Sequence, residues 1–164
     1  MGGTAERSFL LPDLDATRAL AGRLAASLAP GSVVLLEGDL GAGKSELARA
    51  VIRSLAGADI PVPSPTFTLV QTYELPRLEV GHSDLYRLAD ESEVVELGLD
   101  ECWRKGALLV EWPDRAPWLW PEERLTIRLE AVPEAGATVR RVHLLGTGRW
   151  IDLLPHLAGE ESSR

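Results

Sequence analysis

The residues best suited to chemistry lie at positions 38–45, with the sequence Gly-Asp-Leu-Gly-Ala-Gly-Lys-Ser. They match the phosphate-binding pattern G-x-x-x-x-G-K-[ST] at every fixed position. Glycines let backbone N–H groups approach phosphate oxygens without a Cβ in the way, and a following helix adds unpaired N–H groups. Lys44 is expected to reach the β- and γ-phosphates, and the Ser45 hydroxyl to ligate Mg²⁺. The predicted nucleotide-binding residues are Asp39, Leu40, Gly41, Ala42, Gly43, Lys44, Ser45 and Glu46.

The segments on either side of this loop have the patterns that must position it. Residues 32–37 form a short apolar run, which is typical of a buried parallel strand. Residues 46–55 repeat apolar side chains at helical spacing, and Gly57 follows as a plausible helix end. Strand, glycine loop and helix is the context that a phosphate-binding loop needs.

The rest of the chain predicts further helices and strands. A helix capped by Asp13 or Asp15 should run to about Leu28. A hairpin turning at Pro76-Arg77 should join strands over 68–73 and 78–84. A broken helix is expected over 91–104, with the break near Gly98. The remaining predictions are strands at 8–11 and 106–111, half-exposed antiparallel strands at 124–129 and 138–144, and a helix at 150–157.

These elements together predict an α/β protein with the P-loop NTPase fold. Its central sheet should be mostly parallel, with antiparallel additions, and flanked by helices. We expect one ATPase domain over residues 1–158 and a disordered tail over residues 159–164.

Composition excludes several classes of protein. The chain of 164 residues is the length of one domain, and no apolar run approaches the ~20 residues of a membrane span. A net charge of −8 argues against a large basic surface for DNA or RNA, and favours docking on a basic partner surface. A single cysteine rules out an internal disulfide. We therefore expect a cytoplasmic protein.

Two acidic residues stand where predicted strands end. Glu111 follows the apolar run 107–110, and Asp84 closes the strand that ends His-Ser-Asp. The carboxyl ends of parallel strands converge on the ligand edge of such sheets, so both could serve Mg²⁺, although each could also be a solvated strand end. Residues 64–68 offer hydroxyls on a proline-stiffened loop, either a plain loop or a switch segment that orders around a γ-phosphate.

The chain resembles the bacterial TsaE (YjeE) family. Four motifs carry the resemblance in order and spacing: GDLGAGKS at 38–45, SPTFTL at 64–69, HSDLYR at 82–87 and EWP at 111–113. The sequence LGL at 97–99 also fits, and the resemblance spans about residues 14–145. It implies the ATPase subunit of tRNA N6-threonylcarbamoyladenosine (t6A) synthesis at position 37. This subunit would act with the TsaB–TsaD complex and meet tRNA only through it.

The resemblance also implies roles for individual residues. Thr66 would act in the switch-like loop, and Asp84 would support Mg²⁺ and the phosphate loop. Glu111 would lie near Mg²⁺ and the γ-phosphate and position the attacking water, while Trp112 would flank the bound ATP or ADP. The implied catalytic set is thus Lys44, Thr66, Asp84 and Glu111, and the implied metal ligands are Ser45, Asp84 and Glu111.

Other functions remain open on the sequence alone. A small-molecule kinase usually carries several arginines in a lid, and no lid-like insertion stands out here. A nucleotide-gated assembly module, in which occupancy matters and hydrolysis is not essential, uses the same loop. Arg87 and Arg115 lie close in sequence to the two acids and are candidate arginine fingers, although each could be a solvated surface residue. We expect weak ATPase activity alone and stronger activity with the partners.

Overall fold

A computed structural model describes residues 2–65 and 67–160. The fold is α/β, with seven strands and five helices in the described part of the chain. The strands are β1 (Thr4–Leu11), β2 (Val33–Glu37), β3 (Val70–Glu74), β4 (Glu79–Asp84), β5 (Ala107–Glu111), β6 (Leu125–Ala131) and β7 (Arg140–Thr147). The helices are α1 (Leu14–Ser27), α2 (Lys44–Ala56), α3 (Ser92–Glu96), α4 (Leu99–Lys105) and α5 (Trp150–Leu157).

The strands form one mixed sheet in the order β1-β7-β6-β2-β5-β4-β3. Strands β6, β2, β5 and β4 are parallel neighbours. The antiparallel pairs β6–β7, β7–β1 and β4–β3 extend the sheet on both sides. The predicted α/β sheet with antiparallel additions is confirmed, but the sheet is evenly mixed, with three parallel and three antiparallel pairings, instead of mostly parallel.

The sheet is covered on both faces, and this explains the apolar character of its central strands. On β2, Val34 and Leu36 pack with α1, α2 and α5, whereas Val33 and Leu35 pack with α3 and α4. Alternate residues of a strand point to opposite faces, so a strand between two helical layers has no polar side. The motif-bearing strand is therefore held from both directions.

The main boundaries follow the sequence signals. Asp13 caps α1 by accepting a hydrogen bond from the Ala16 N–H at 2.8 Å. Gly57, with φ of 67°, ends α2. Gly98, with φ of 66°, separates α3 from α4, as predicted. The predicted hairpin turn at residues 76–77 joins β3 to β4, and the Leu75 N–H donates to the Leu78 carbonyl across it.

Strand β6 departs from the prediction of an antiparallel strand. It pairs antiparallel with β7 on one side but parallel with β2 on the other. Alternation of apolar and polar residues reports that one face of a strand is partly exposed, and does not report the direction of its neighbours. The chain must cross over from β5 to β6 for this, and no local pattern marks that crossover.

None of the helices in residues 2–65 and 67–160 is long and apolar enough to cross a membrane. Residues 161–164 lie outside the described residues, so the predicted disorder of the tail stays a prediction.

Helix α1 provides a direct test of the main core. Leu24 is fully buried beneath the sheet, whereas Leu14 in the same helix keeps 39% of its surface exposed. We expect Leu24→Ala to lower the free energy of unfolding by about 2–5 kcal/mol, because it removes buried methyl groups and leaves a cavity. Leu14→Ala should cost less than about 1 kcal/mol. Urea unfolding of both variants measures this, and equal losses would contradict the assigned burial.

Candidate active site

The candidate site begins where β2 ends and α2 starts. The intervening loop contains Gly38, Gly41 and Gly43, which have φ angles of 146°, 81° and 105°. A Cβ on Gly38 would lie 2.5 Å from the carbonyl oxygen of Leu129, so only glycine fits there without a shift. The loop therefore turns tightly enough to deliver the first N–H groups of α2, and the positive end of the helix, to one concave surface.

Lys44, the first residue of α2, points back over the loop. Its Nζ donates to the carbonyl oxygens of Gly38 and Asp39, the latter at 2.9 Å. The same Nζ lies 4.1 Å from the centroid of the Trp112 ring, a cation–π contact. Burial lowers the pKa of Lys44, while Glu111, Asp84 and Asp39 act in the opposite direction. The ammonium is thus held against the loop by weak, exchangeable partners.

The two predicted acids come together. Strands β4 and β5 are parallel neighbours, and Asp84 pairs in register with Glu111. Both side chains are nearly inaccessible, with 7% and 2% of their surfaces exposed. The Ser45 hydroxyl donates to Glu111 Oε1 at 2.7 Å, which links the start of α2 to the end of β5. The structure therefore unites three groups that the sequence separates by up to 66 positions.

The surroundings of Asp84 disfavour its charged form. Burial raises the pKa of Asp84, and the neighbouring Glu111 adds to this, whereas a hydrogen bond from the Tyr86 N–H to Oδ1 at 2.9 Å opposes it. Two carboxylates side by side with little solvent favour any cation that can approach both.

A pocket of about 440 Å³ opens above these residues. Of the predicted site residues, all but Asp39 and Thr66 line it. Asp39 lines an adjoining groove on the other side of the loop. Thr66 lies outside the described residues, so its predicted role stays a prediction. Its near neighbour Ser64 does line the pocket. The predicted residues in the lining are Leu40, Gly41, Ala42, Gly43, Lys44, Ser45, Glu46, Asp84, Glu111 and Trp112.

The family model described as "Threonylcarbamoyl adenosine biosynthesis protein TsaE" matches residues 11–141 of this sequence. The chain belongs to the TsaE family. The resemblance seen in the four motifs is therefore confirmed, and the match covers every residue of the candidate site described above.

Named relatives agree with the TsaE assignment, and a solved structure has a similar fold. A tRNA threonylcarbamoyladenosine biosynthesis protein TsaE of Bacillus subtilis is 40% identical over 139 residues, covering 84% of each chain. A protein of the same name from Rickettsia felis is 38% identical over 126 residues, covering 77% of this chain and 74% of the relative. The crystal structure of Bacillus subtilis YdiB superposes with a TM-score of 0.73 at 31% identity, covering 97% of both chains.

Sequence reasoning missed His82. Its side chain is 1% exposed, and its Nε2 lies 2.7 Å from Glu111 Oε2. The sequence does carry a signal, because this histidine opens the third TsaE motif. The three histidines, His82, His143 and His156, are widely separated in the sequence, so their spacing does not indicate the contact with Glu111.

Arg140, at the start of β7, is a second residue that sequence reasoning missed. Its Nε donates to the carbonyl of Ala42 at 2.8 Å, and one Nη reaches the carbonyl of Gly41 at 3.4 Å. It therefore binds the backbone of the phosphate-binding loop and also lines the pocket. A separation of 98 positions from Ala42 leaves no local pattern by which to find it.

The two arginines named from the sequence lie near the site in different ways. Arg87 lines the pocket and stacks over the exposed Phe67 ring at 5.1 Å. Arg115 donates to the carbonyl of Tyr86 at 2.6 Å, which ties it to the backbone.

The donor atoms near the loop suit a hard divalent cation. Ser45, Asp84 and Glu111 offer only oxygen, as Mg²⁺ prefers. Across residues 2–65 and 67–160, no three His, Cys, Asp or Glu side chains form a group that could hold a metal ion.

Replacing Asp84 tests its electrostatic position through pH. A raised pKa means that the folded protein holds this proton more tightly than the unfolded chain. The carboxyl therefore favours folding below its ordinary value of 3.8 and opposes folding above its folded-state pKa. We expect Asp84→Asn, which keeps the acceptor for the Tyr86 N–H, to raise the thermal midpoint at pH 7. The gain should shrink as the pH falls towards the ordinary carboxyl range.

Asp90→Asn is a matched control for this measurement. Asp90 is exposed and accepts from the backbone N–H two residues ahead, as Asp84 does. Thermal unfolding without nucleotide or Mg²⁺ should leave this control close to the native midpoint at every pH. A lower midpoint for Asp84→Asn than for the native protein at pH 7 would contradict the assigned shift.

Proposed function

We propose that this chain is a Mg²⁺-dependent ATPase of the P-loop NTPase fold that serves the t6A modification of tRNA at position 37. The observation that carries the proposal is the meeting of Ser45, Asp84 and Glu111 beside a complete phosphate-binding loop. Membership of the TsaE family supports the pathway, because the family model and the relatives are named for threonylcarbamoyladenosine biosynthesis.

The loop would bind the phosphates of ATP or ADP through its backbone N–H groups and the positive end of α2. Lys44 would exchange the carbonyls of Gly38 and Asp39 for the β- and γ-phosphates, a stronger partner for an ammonium than two neutral dipoles. Trp112, whose ring now lies 4.1 Å from the Lys44 ammonium, would flank the nucleotide.

Ser45, Asp84 and Glu111 are the residues that would hold Mg²⁺. When bound, the cation would supply positive charge beside the β- and γ-phosphates. Glu111 would also accept a hydrogen bond from the attacking water and orient it towards the γ-phosphate. Thr66 is assigned to the switch-like loop by the family resemblance, and the lining of the pocket by Ser64 supports a role for that loop.

Hydrolysis by the isolated protein should be slow. Arg115 and Arg140 are bound to backbone carbonyls, and the guanidinium of Arg87 lies over the exposed Phe67 ring, so each of these three arginines already has a partner other than the γ-phosphate. Without an arginine finger, turnover in this class is on the order of 10⁻⁴ to 10⁻³ per second. We propose that TsaB and TsaD stimulate the ATPase, that tRNA is met only through them, and that the complex acts in the cytoplasm.

Reconstitution with TsaB and TsaD tests the proposal, with t6A scored over many turnovers. We expect Lys44→Ala to lose nucleotide binding and t6A formation. Glu111→Gln should keep binding and lose turnover, because it removes the group that orients the water. ATP hydrolysis, measured in parallel, should rise when the partners are added.

Two variants serve as controls for that experiment: Lys105→Ala, an exposed lysine at the end of α4, and Glu134→Gln, an exposed carboxylate outside the pocket lining. Both should behave as the native protein. Sustained t6A formation by Glu111→Gln would favour a nucleotide-gated assembly module instead. Transfer of the γ-phosphate to a metabolite in place of water would favour a kinase.

Trp112 provides an optical test of nucleotide binding. Lys44 Nζ lies 4.1 Å from its ring centroid, so withdrawal of the ammonium towards phosphate changes the charge over the indole. We expect ADP or ATP to change the tryptophan fluorescence of the native protein, and Trp112→Phe to lose most of that change. The four remaining tryptophans act as an internal control. An equal response from Trp112→Phe would place the reporter elsewhere.

A further inference from the structure

Glu111 is held by two donors, and only one of them belongs to the phosphate-binding loop. Ser45 donates to Oε1 at 2.7 Å, and His82 Nε2 lies 2.7 Å from Oε2. Since a carboxylate oxygen accepts, we assign the proton of this contact to His82 Nε2. A carboxylate fixed at both oxygens cannot turn about its last bond without losing one of them.

The sheet determines why His82 can reach Glu111. His82 and Asp84 are two positions apart on β4, so both project from the same face of the strand. Asp84 pairs in register with Glu111 on β5, and His82 pairs with Leu109. One strand therefore presents to Glu111 both a second carboxylate and an imidazole.

Burial of His82 removes a polar imidazole from water and is unfavourable unless its remaining hydrogen bond has a role. It is 1% exposed, and its Nδ1 has no hydrogen-bond partner within the described residues. A buried polar atom without a partner is destabilising because it has lost its hydrogen bonds to water, and an aliphatic side chain would avoid that loss. The compensation visible in the structure is the short bond to a carboxylate that is itself 2% exposed.

We propose that His82 is a positioning residue for ATP hydrolysis. By donating to Oε2 it holds Glu111 with Oε1 directed to Ser45 and the phosphate pocket, where the water and the metal are to be handled. His82 lines no part of the pocket itself, so it acts through Glu111 and not on the nucleotide. The inference rests on the proposed function of Glu111 in hydrolysis.

Two substitutions of His82 separate positioning from simple packing. His82→Leu fills the space but cannot donate, whereas the amide of His82→Gln can donate from nearly the same position. In the reconstituted complex we expect His82→Leu to lower kcat for ATP by about 10- to 100-fold, the range found when groups that orient a site carboxylate or ligand are removed. The Kd for ADP should stay within about twofold, and His82→Gln should recover most of the rate.

A double-mutant cycle with Glu111→Gln makes the test specific. If His82 acts through Glu111, His82→Leu should cause little further loss of kcat when Glu111 is already replaced. Val80→Ala is the control for instability, because Val80 is a buried residue of the same strand. It should lower the thermal midpoint and leave kcat near the native value.

The possible results are distinct. A native rate in His82→Leu, a loss that multiplies fully with that of Glu111→Gln, or a failure of His82→Gln to recover would overturn the positioning role. A fall in ADP affinity equal to the fall in kcat would also overturn it. No hydrolysis by the native complex would overturn the proposed function and this inference together, and that result differs from hydrolysis that is indifferent to His82.

Discussion

The parallel pairing of β5 between β2 and β4 is the constraint on which the site depends. Parallel strands end at the same edge of a sheet, so this pairing brings the glycine loop, Glu111 and Asp84 to one place. The register is equally important. A shift of β4 by one residue would turn Asp84 and His82 to the opposite face of the sheet. Packing of β2 and β5 on both faces holds that register.

This arrangement concentrates charge where little water reaches. Lys44, Asp84, Glu111 and His82 are all buried, although a carboxylate or ammonium is ordinarily expensive to remove from solvent. The opposite charge of Lys44, the Ser45 hydroxyl and backbone groups offset part of that expense. The part of the desolvation cost that these contacts do not offset is consistent with a functional site. Such sites hold groups in positions that function requires and that folding alone would not select.

Much of the fold and most of the site could be predicted from local signals. The loop, its strand and helix, the hairpin and the break at Gly98 each have a pattern a few residues long. Glu111 and Asp84 could be named because strand ends are functional positions in parallel sheets. The direction of β6 and the contacts of His82 and Arg140 could not be predicted from the sequence, because each depends on which distant strands become neighbours. The backbone of Trp112 is left-handed, with φ of 58°. No residue type in its segment predicts this conformation.

Arg140 has a consequence for how the phosphate-binding signature should be understood. The carbonyls of Gly41 and Ala42 are held by a side chain from β7, nearly a hundred positions later in the chain. The residues of the signature lie in the first third of the sequence. Their contacts with Arg140 form only when β7, the last strand along the chain, has joined the sheet. A chain that ended before β7 would contain every residue of the motif and still lack the hydrogen bonds from Arg140. The loop gains these two hydrogen bonds only when β7 has joined the sheet.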